Sequence, residues 1–250
     1  MHSRMQDLFP ELGSLSAEEL SSIAVTGKPV FLIAITARSG STWLCREFEA
    51  LCNVGTVTEV MNPRGPIQHS GCWRAGIPFA EYFGCLVDKL SGEVFAFKTS
   101  WHDFAPIAPH AQILFPQLRV AFVKRGNIEA QALSQYLARR TGQWHLHRDE
   151  QREPKRPPKL DLSMIDWIID QTEREIANWA RFLADSRLSA REIYYEDFRE
   201  DIESGVCSLA EAAGVAMRRR GAEPPPLQKL GDDNDPWLLE IARHRQAIRR

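Results

Sequence analysis

Apolar residues along this chain fall into two kinds of run, and the two kinds alternate. Val30, Phe31, Leu32, Ile33, Ala34 and Ile35 form an unbroken apolar stretch of strand length, the pattern of a central strand buried on both faces. Phe95-Ala96-Phe97, Val120-Ala121-Phe122-Val123 and Ile193-Tyr194-Tyr195 read as further strands. Between them apolar residues recur at helical spacing. Trp43, Leu44, Phe48 and Leu51 make one such face, and Phe79, Tyr82, Phe83, Leu86, Val87 and Leu90 a second. Ala130, Leu133 and Leu137 make a third, and Ile165, Ile168, Ile169, Ile176, Ala180 and Leu183 a fourth, longer one. Strand alternating with helix predicts an α/β fold around a mainly parallel sheet.

The punctuation agrees with that division. The helix opened by Trp43 is expected to end near 53–55, and residues 56–60 read as a short extended segment. Ser16 before Ala17-Glu18-Glu19 marks a short early helix, 108–115 reads as another, and Gly142 is a natural left-handed cap after Thr141. Asp161 or Ser163 starts the long helix. Glu196-Asp197-Phe198 turns out of the last strand into a helix reaching Ala213, and Pro236 opens a final one. Charged, proline-bearing segments fall at 145–160 and 218–235. We expect one domain over 1–250, with an N-terminal extension at 1–27, a mobile loop at 145–160 and a C-terminal loop and helix at 218–250.

A chain of 250 residues, 44% of them hydrophobic, can fill such a core. Its net charge of −2 argues against a broad basic surface for nucleic acid, so any anion site has to be local. The first twenty residues lack the hydrophobic block of a signal peptide, and no run reaches transmembrane length. Cys45, Cys52, Cys72, Cys85 and Cys207 are odd in number and show no C-x-x-C spacing. That pattern predicts reduced thiols in a cytoplasmic protein, without a disulfide framework or a bound metal.

Candidate chemistry gathers after two of the strands. Thr36-Ala37-Arg38-Ser39-Gly40-Ser41-Thr42 follows the first, where a loop entering a helix turns unpaired backbone N–H groups and the positive end of the dipole toward an anion. Ser39, Gly40, Ser41 and Thr42 permit close approach and add hydroxyls, and Arg38 offers a planar fork to phosphate or sulfate oxygens. A nucleotide triphosphate loop would read G-x-x-x-x-G-K-[ST], whereas Gly40-Ser41-Thr42 has no lysine. The logic repeats after the third strand, where Lys124 and Arg125 precede a helix carrying Ser134. Lys98, Thr99, Ser100 and His102, beyond the second strand, are expected to line the same rim, as is Glu59.

Two anion loops of this kind resemble those of sulfotransferases that use 3′-phosphoadenosine-5′-phosphosulfate (PAPS). Arg38-Ser39-Gly40-Ser41-Thr42, Phe95-Ala96-Phe97-Lys98, Phe115-Pro116-Gln117-Leu118-Arg119, Gln131-Ala132-Leu133-Ser134, Thr141-Gly142-Gln143-Trp144 and Tyr195-Glu196-Asp197-Phe198 resemble, in order, blocks of the bacterial Stf0-type group, the trehalose 2-sulfotransferase-like enzymes. The resemblance implies a P-loop-like three-layer α/β/α fold and sulfuryl transfer from PAPS to a hydroxyl of a carbohydrate, glycolipid or other small metabolite, without a metal. It implies that the loop from Arg38 to Thr42 holds the 5′-phosphosulfate, with Arg38 also catalytic, that Arg125 and Ser134 hold the 3′-phosphate, and that Glu59 is the catalytic base. Gly126 stands where the group usually has its 3′-phosphate arginine, and Arg125 is one residue earlier. His102 is the other candidate base. The resemblance also suggests a homodimer. The competing readings are a catalytically silent anion-binding module and an ATP-dependent phosphotransferase.

Overall fold

Four strands carry the molecule: β1 (Val30–Ile35), β2 (Phe95–Ser100), β3 (Leu118–Lys124) and β4 (Ala190–Tyr194). The computed structural model of the chain describes residues 5–24, 27–63, 71–144, 159–218 and 236–248. All pairings are parallel, in the order β2-β1-β3-β4. Ile35 is level with Ser100 and Val123, so the carboxyl ends of the strands share one edge. The chain leaves β1 for β2 on one side and returns to β3 on the other, which makes the space beyond β1 and β3 the crevice where such sheets collect ligands.

β1 is buried along its whole length, and its side chains divide between two cores as the pleat dictates. Val30, Leu32 and Ala34 join Phe95, Phe97, Val120 and Phe122 under α2 (Phe79–Leu90) and α4 (Leu162–Ser186). Phe31, Ile33 and Ile35 join Ala96, Ala121 and Val123 under α1 (Ser41–Leu51), α5 (Tyr195–Glu200) and α6 (Ile202–Ala213). Each fully buried side chain of this kind stabilises the fold by roughly 1.5–3 kcal/mol. The α/β fold around a parallel sheet expected from the alternation, and the three-layer α/β/α arrangement implied by the resemblance, are therefore present.

Above the carboxyl edge, α3 (Ile128–Thr141) packs on the first half of α4 and on α7 (Pro236–Ile248) through Leu133, Tyr136, Ile165, Ile168, Ile169 and Ile241. The strong caps fall where the sequence has them. Ser16 forms a reciprocal capping box with Glu19, Asp161 caps α4, and Gly142 ends α3 in the left-handed conformation.

Residues 56–60 run beside β2 without forming a strand of the sheet: Lys98 N–H bonds the Thr58 carbonyl at 3.1 Å and Thr56 N–H bonds the Leu90 carbonyl at 3.0 Å. Two expectations need correction. The helix after β4 is two helices, because Asp201 leaves the helical conformation and caps α6 through Ser204 N–H. Cys72 and Cys85 are joined in a disulfide, 13 residues apart with Cα atoms separated by 5.7 Å. An odd count and the lack of a C-x-x-C motif concealed that pair, since only the folding of residues 71–77 back along α2 brings the two together. Disulfides persist in oxidising surroundings, so the cysteines do not support a cytoplasmic location. No helix among the described residues is long and apolar enough to cross a membrane. The expected mobile loop at 145–160 lies outside the described residues except for 159 and 160, and the arginine-proline run at 218–235 lies outside them except for 218.

Candidate functional site

The turn after β1 is built to leave a helix end open. Gly40 is the N-cap of α1 at φ +79°, no side chain caps the helix, and its first turn carries no acid. An alanine Cβ at Gly40 would lie 2.5 Å from Tyr195 Cδ2 and 2.9 Å from Phe198 Cζ, so the position requires glycine for space as well as for conformation. Ser39 beside it is wholly buried, and its hydroxyl has no partner among the described residues. Arg38 is also left-handed, at φ +65°. For a non-glycine residue that costs about 1–2 kcal/mol, a strain of the kind found at ligand sites.

This turn aims Arg38 at the helix that follows β3. Its Nε donates to Ser134 Oγ at 3.0 Å, and its guanidinium also donates to the Trp144 carbonyl. Among the described residues it pairs with no carboxylate. Burial, and next the positive charge of Arg125, hold its pKa below the usual arginine value, while Tyr195 acts in the opposite sense. Arg125 stacks its guanidinium on the Tyr195 ring at 4.5 Å. Two cations from separate loops thus face one space, with the Ser134 hydroxyl between α3 and Arg38. From the same helix, buried Gln131 donates to Thr36 Oγ1 at 2.8 Å and to the Ala37 carbonyl at 2.7 Å, fixing the start of the turn.

On the other side of α1, buried Lys98 reaches up from β2. Its ammonium donates to Thr42 Oγ1 at 2.7 Å and lies 3.4 Å from Glu59 Oε1. The second Glu59 oxygen accepts from Asn62 Nδ2 at 2.9 Å. Glu59 is therefore at the mouth of the first loop and held at both oxygens. His102 is exposed on the short helix Trp101–Phe104, and Ser100 caps that helix through Asp103 N–H.

The turn after β3 differs from what local sequence suggests. Lys124 is engaged by Glu192 and lies over the Tyr194 ring. Glu196 accepts from Gly126 N–H at 2.9 Å and Asn127 N–H at 3.1 Å, and Asn127 caps Ala130 N–H. Burial is the largest single influence and raises the Glu196 pKa, but the Gly126 and Asn127 amides, its own backbone N–H and the charge of Arg125 together leave the carboxyl below its ordinary value. Reasoning from sequence named Lys98 only as a lining residue and left Gln131, Tyr195 and Glu196 without roles. The signal was available for Gln131, which shares a helix face with Asn127, Ser134 and Gln135 apart from the apolar one of Ala130, Leu133 and Leu137.

A parallel α/β sheet with an open helix N-terminus beside an arginine, beyond its central strand, is an arrangement suited to binding an oxyanion. Residues 87–246, more than half of the chain, match the Stf0 sulphotransferase family, and the protein belongs to it. The match covers Lys98, Arg125, Ser134 and Glu196, whereas the Arg38 loop and Glu59 precede it. No curated protein matches the chain. Among the described residues no group of His, Cys, Asp or Glu is arranged to hold a metal.

Proposed function

We propose that the chain is a single sulfotransferase domain that moves the sulfuryl group of PAPS onto a hydroxyl of a carbohydrate, glycolipid or other small metabolite, and releases 3′-phosphoadenosine-5′-phosphate (PAP). The observation that carries this reading is that Arg38 lies close enough to Arg125 to feel its charge and is hydrogen-bonded to Ser134 of the helix that follows it. One doubly charged nucleotide would offset the mutual repulsion of the two guanidinium groups, of which Arg38 pairs with no carboxylate among the described residues. In this reading Ser39, Gly40, Ser41 and Thr42 cradle the 5′-phosphosulfate at the start of α1, and Arg125 with Ser134 takes the 3′-phosphate.

The acceptor oxygen forms a bond to sulfur as the sulfur to bridging-oxygen bond breaks, and negative charge grows on the departing phosphate. Arg38 and the ammonium of Lys98 supply donors fixed in advance where that charge develops, which is worth more in a water-poor cleft than in solution. Glu59 takes the acceptor proton, and its two contacts hold it in one orientation for the transfer. Metal assistance has no role in this scheme.

Calorimetry with PAP, paired with a transfer assay using labelled PAPS, tests the reading. Micromolar or tighter PAP binding together with label transfer to a hydroxyl acceptor is expected. Tight binding with no turnover on any hydroxyl would make the protein a silent binding module, and magnesium-dependent ATP binding in place of PAP binding would make it a phosphotransferase.

A further inference from the structure

The inward stripe of α4 runs through Ile165, Ile168, Thr172, Glu175, Trp179 and Phe182 at steps of three and four residues. All are buried except Glu175, which is half-buried. Thr172 satisfies its hydroxyl on the Ile168 carbonyl at 2.9 Å, while Glu175 makes no hydrogen bond or ion pair among the described residues. A carboxyl group on an apolar stripe is costly to keep unless something meets it.

The height of that carboxyl follows from two contacts. Trp179 donates its indole N–H to the carbonyl of Ile35, the last residue of β1, at 3.4 Å. Ser186, at the far end of α4, accepts from Gln112 ahead of β3, so the helix runs against the strands. Glu175, one turn before Trp179, therefore stands about 6 Å beyond the end of β1, at the level of the Arg38 loop. Its Coulombic neighbours are Asp103, on the short helix after β2, and Arg139 of α3. Burial first, and then Asp103, push the Glu175 pKa up to about 7, with Arg139 pulling the other way.

A second observation comes from the facing helix. Gln131, Gln135 and Arg139 lie four residues apart along α3. The Gln131 end holds the Arg38 loop and the Arg139 end is the one coupled to Glu175. Between them Gln135 is 8% exposed, and its side-chain carbonyl oxygen has no donor among the described residues. α4 thus brings Glu175 to the carboxyl end of β1, on the face of the sheet opposite Lys98, and α3 carries Gln135 one turn from the Gln131 that holds the Arg38 loop.

We propose that Glu175 is an acceptor-binding residue, which takes a hydrogen bond from a second, non-reacting hydroxyl of the molecule being sulfated, with Gln135 receiving a neighbouring one. The assignment rests on the sulfuryl-transfer reading and makes the acceptor a compound with several hydroxyls. A site that hydrogen-bonds a hydroxyl discriminates strongly against an analogue lacking it.

The test compares Glu175→Gln and Gln135→Leu with the full wild-type chain, using glucose and trehalose as polyhydroxylated probes, 2-naphthol as a single-hydroxyl probe and labelled PAPS as donor. Wild type is expected to sulfate a sugar in preference to 2-naphthol. Glu175→Gln should raise the sugar KM about 10-fold to 100-fold, the worth of a hydrogen bond to a charged group, with kcat within threefold and PAP affinity unchanged. Gln135→Leu, which carries the test should Glu175→Gln fail to fold, should raise the same KM several-fold. An unchanged sugar KM in both variants, a preference for 2-naphthol, or no sugar turnover beside intact PAP binding overturns the role of Glu175 and leaves the donor assignment standing. Failure to bind PAP overturns the sulfuryl-transfer reading itself.

Discussion

The turns after β1 and β3 begin from the same plan, a buried strand running through a basic loop into a helix, and they end differently. At α1 the helix terminus is left open: Gly40 contributes no side chain, the first turn has no acid, and Ser39 keeps an unmatched hydroxyl. At α3 the terminus is closed from within, by Asn127 on Ala130 N–H and by Glu196 on Gly126 and Asn127 N–H, with Glu129 in the first turn. A strand-loop-helix unit offers its dipole to a ligand only where the protein has not already supplied the anion. The first turn can therefore bind through backbone, whereas the second has only side chains to offer, Arg125 and Ser134.

Several variants would break or sharpen that contrast. The largest effect is expected at Arg38. Arg38→Asn keeps a residue that tolerates the left-handed region but removes the guanidinium. Transfer from PAPS should fall about 10²-fold to 10³-fold, the usual loss of one preorganised donor, with thermal unfolding nearly unchanged. A variant with wild-type turnover would show that the open terminus needs no arginine.

Glu59→Gln should lower kcat about 10²-fold to 10⁴-fold, while His102→Ala, at an exposed position, should leave it within twofold. Steady-state assays of both variants decide the base, and the reverse pattern would transfer the role to His102.

Gly40→Ala probes the open end through stability. Its Cβ would meet Tyr195 at 2.5 Å on a backbone at φ +79°, and overpacking together with the strained conformation should cost about 2–4 kcal/mol. Denaturant unfolding would read that loss.

The smallest effect is expected on the closed side. Glu196→Gln weakens charged hydrogen bonds to two amides, and allowing for its partial exposure the loss should be about 1 kcal/mol. The sign with pH follows from a folded-state pKa below the ordinary one. The contribution is present above the unfolded carboxyl value and disappears as pH falls through the folded one, so variant and wild type should converge in acid. If Glu196→Gln instead strengthened PAP binding markedly, the carboxylate would be a competitor for the 3′-phosphate.

Much of the turn after β1 could be read before the fold was known because it is local. The apolar run at 30–35 predicts β1, and the small and hydroxylated residues after it predict a turn that opens a helix, since both follow from sequence-adjacent sterics and hydrogen bonding. Gly142 and Asp161 mark helix ends for the same reason. Lys98 illustrates the limit: strand pairing and the path of residues 56–62 decide that its ammonium lies between Thr42 and Glu59, and neither is written near position 98.

What the sequence determined by itself was the order of elements and the chemistry of each loop, because backbone conformation and periodic burial depend on near neighbours. Which loop remained open, which cations were already neutralised, and which cysteines met were settled only when distant segments packed. Glu196 reached Gly126 across 70 residues of chain, and Glu192 reached Lys124 across 68. Electrostatic compensation acts through space, so a free charge and a satisfied one look alike until the fold has brought their partners near.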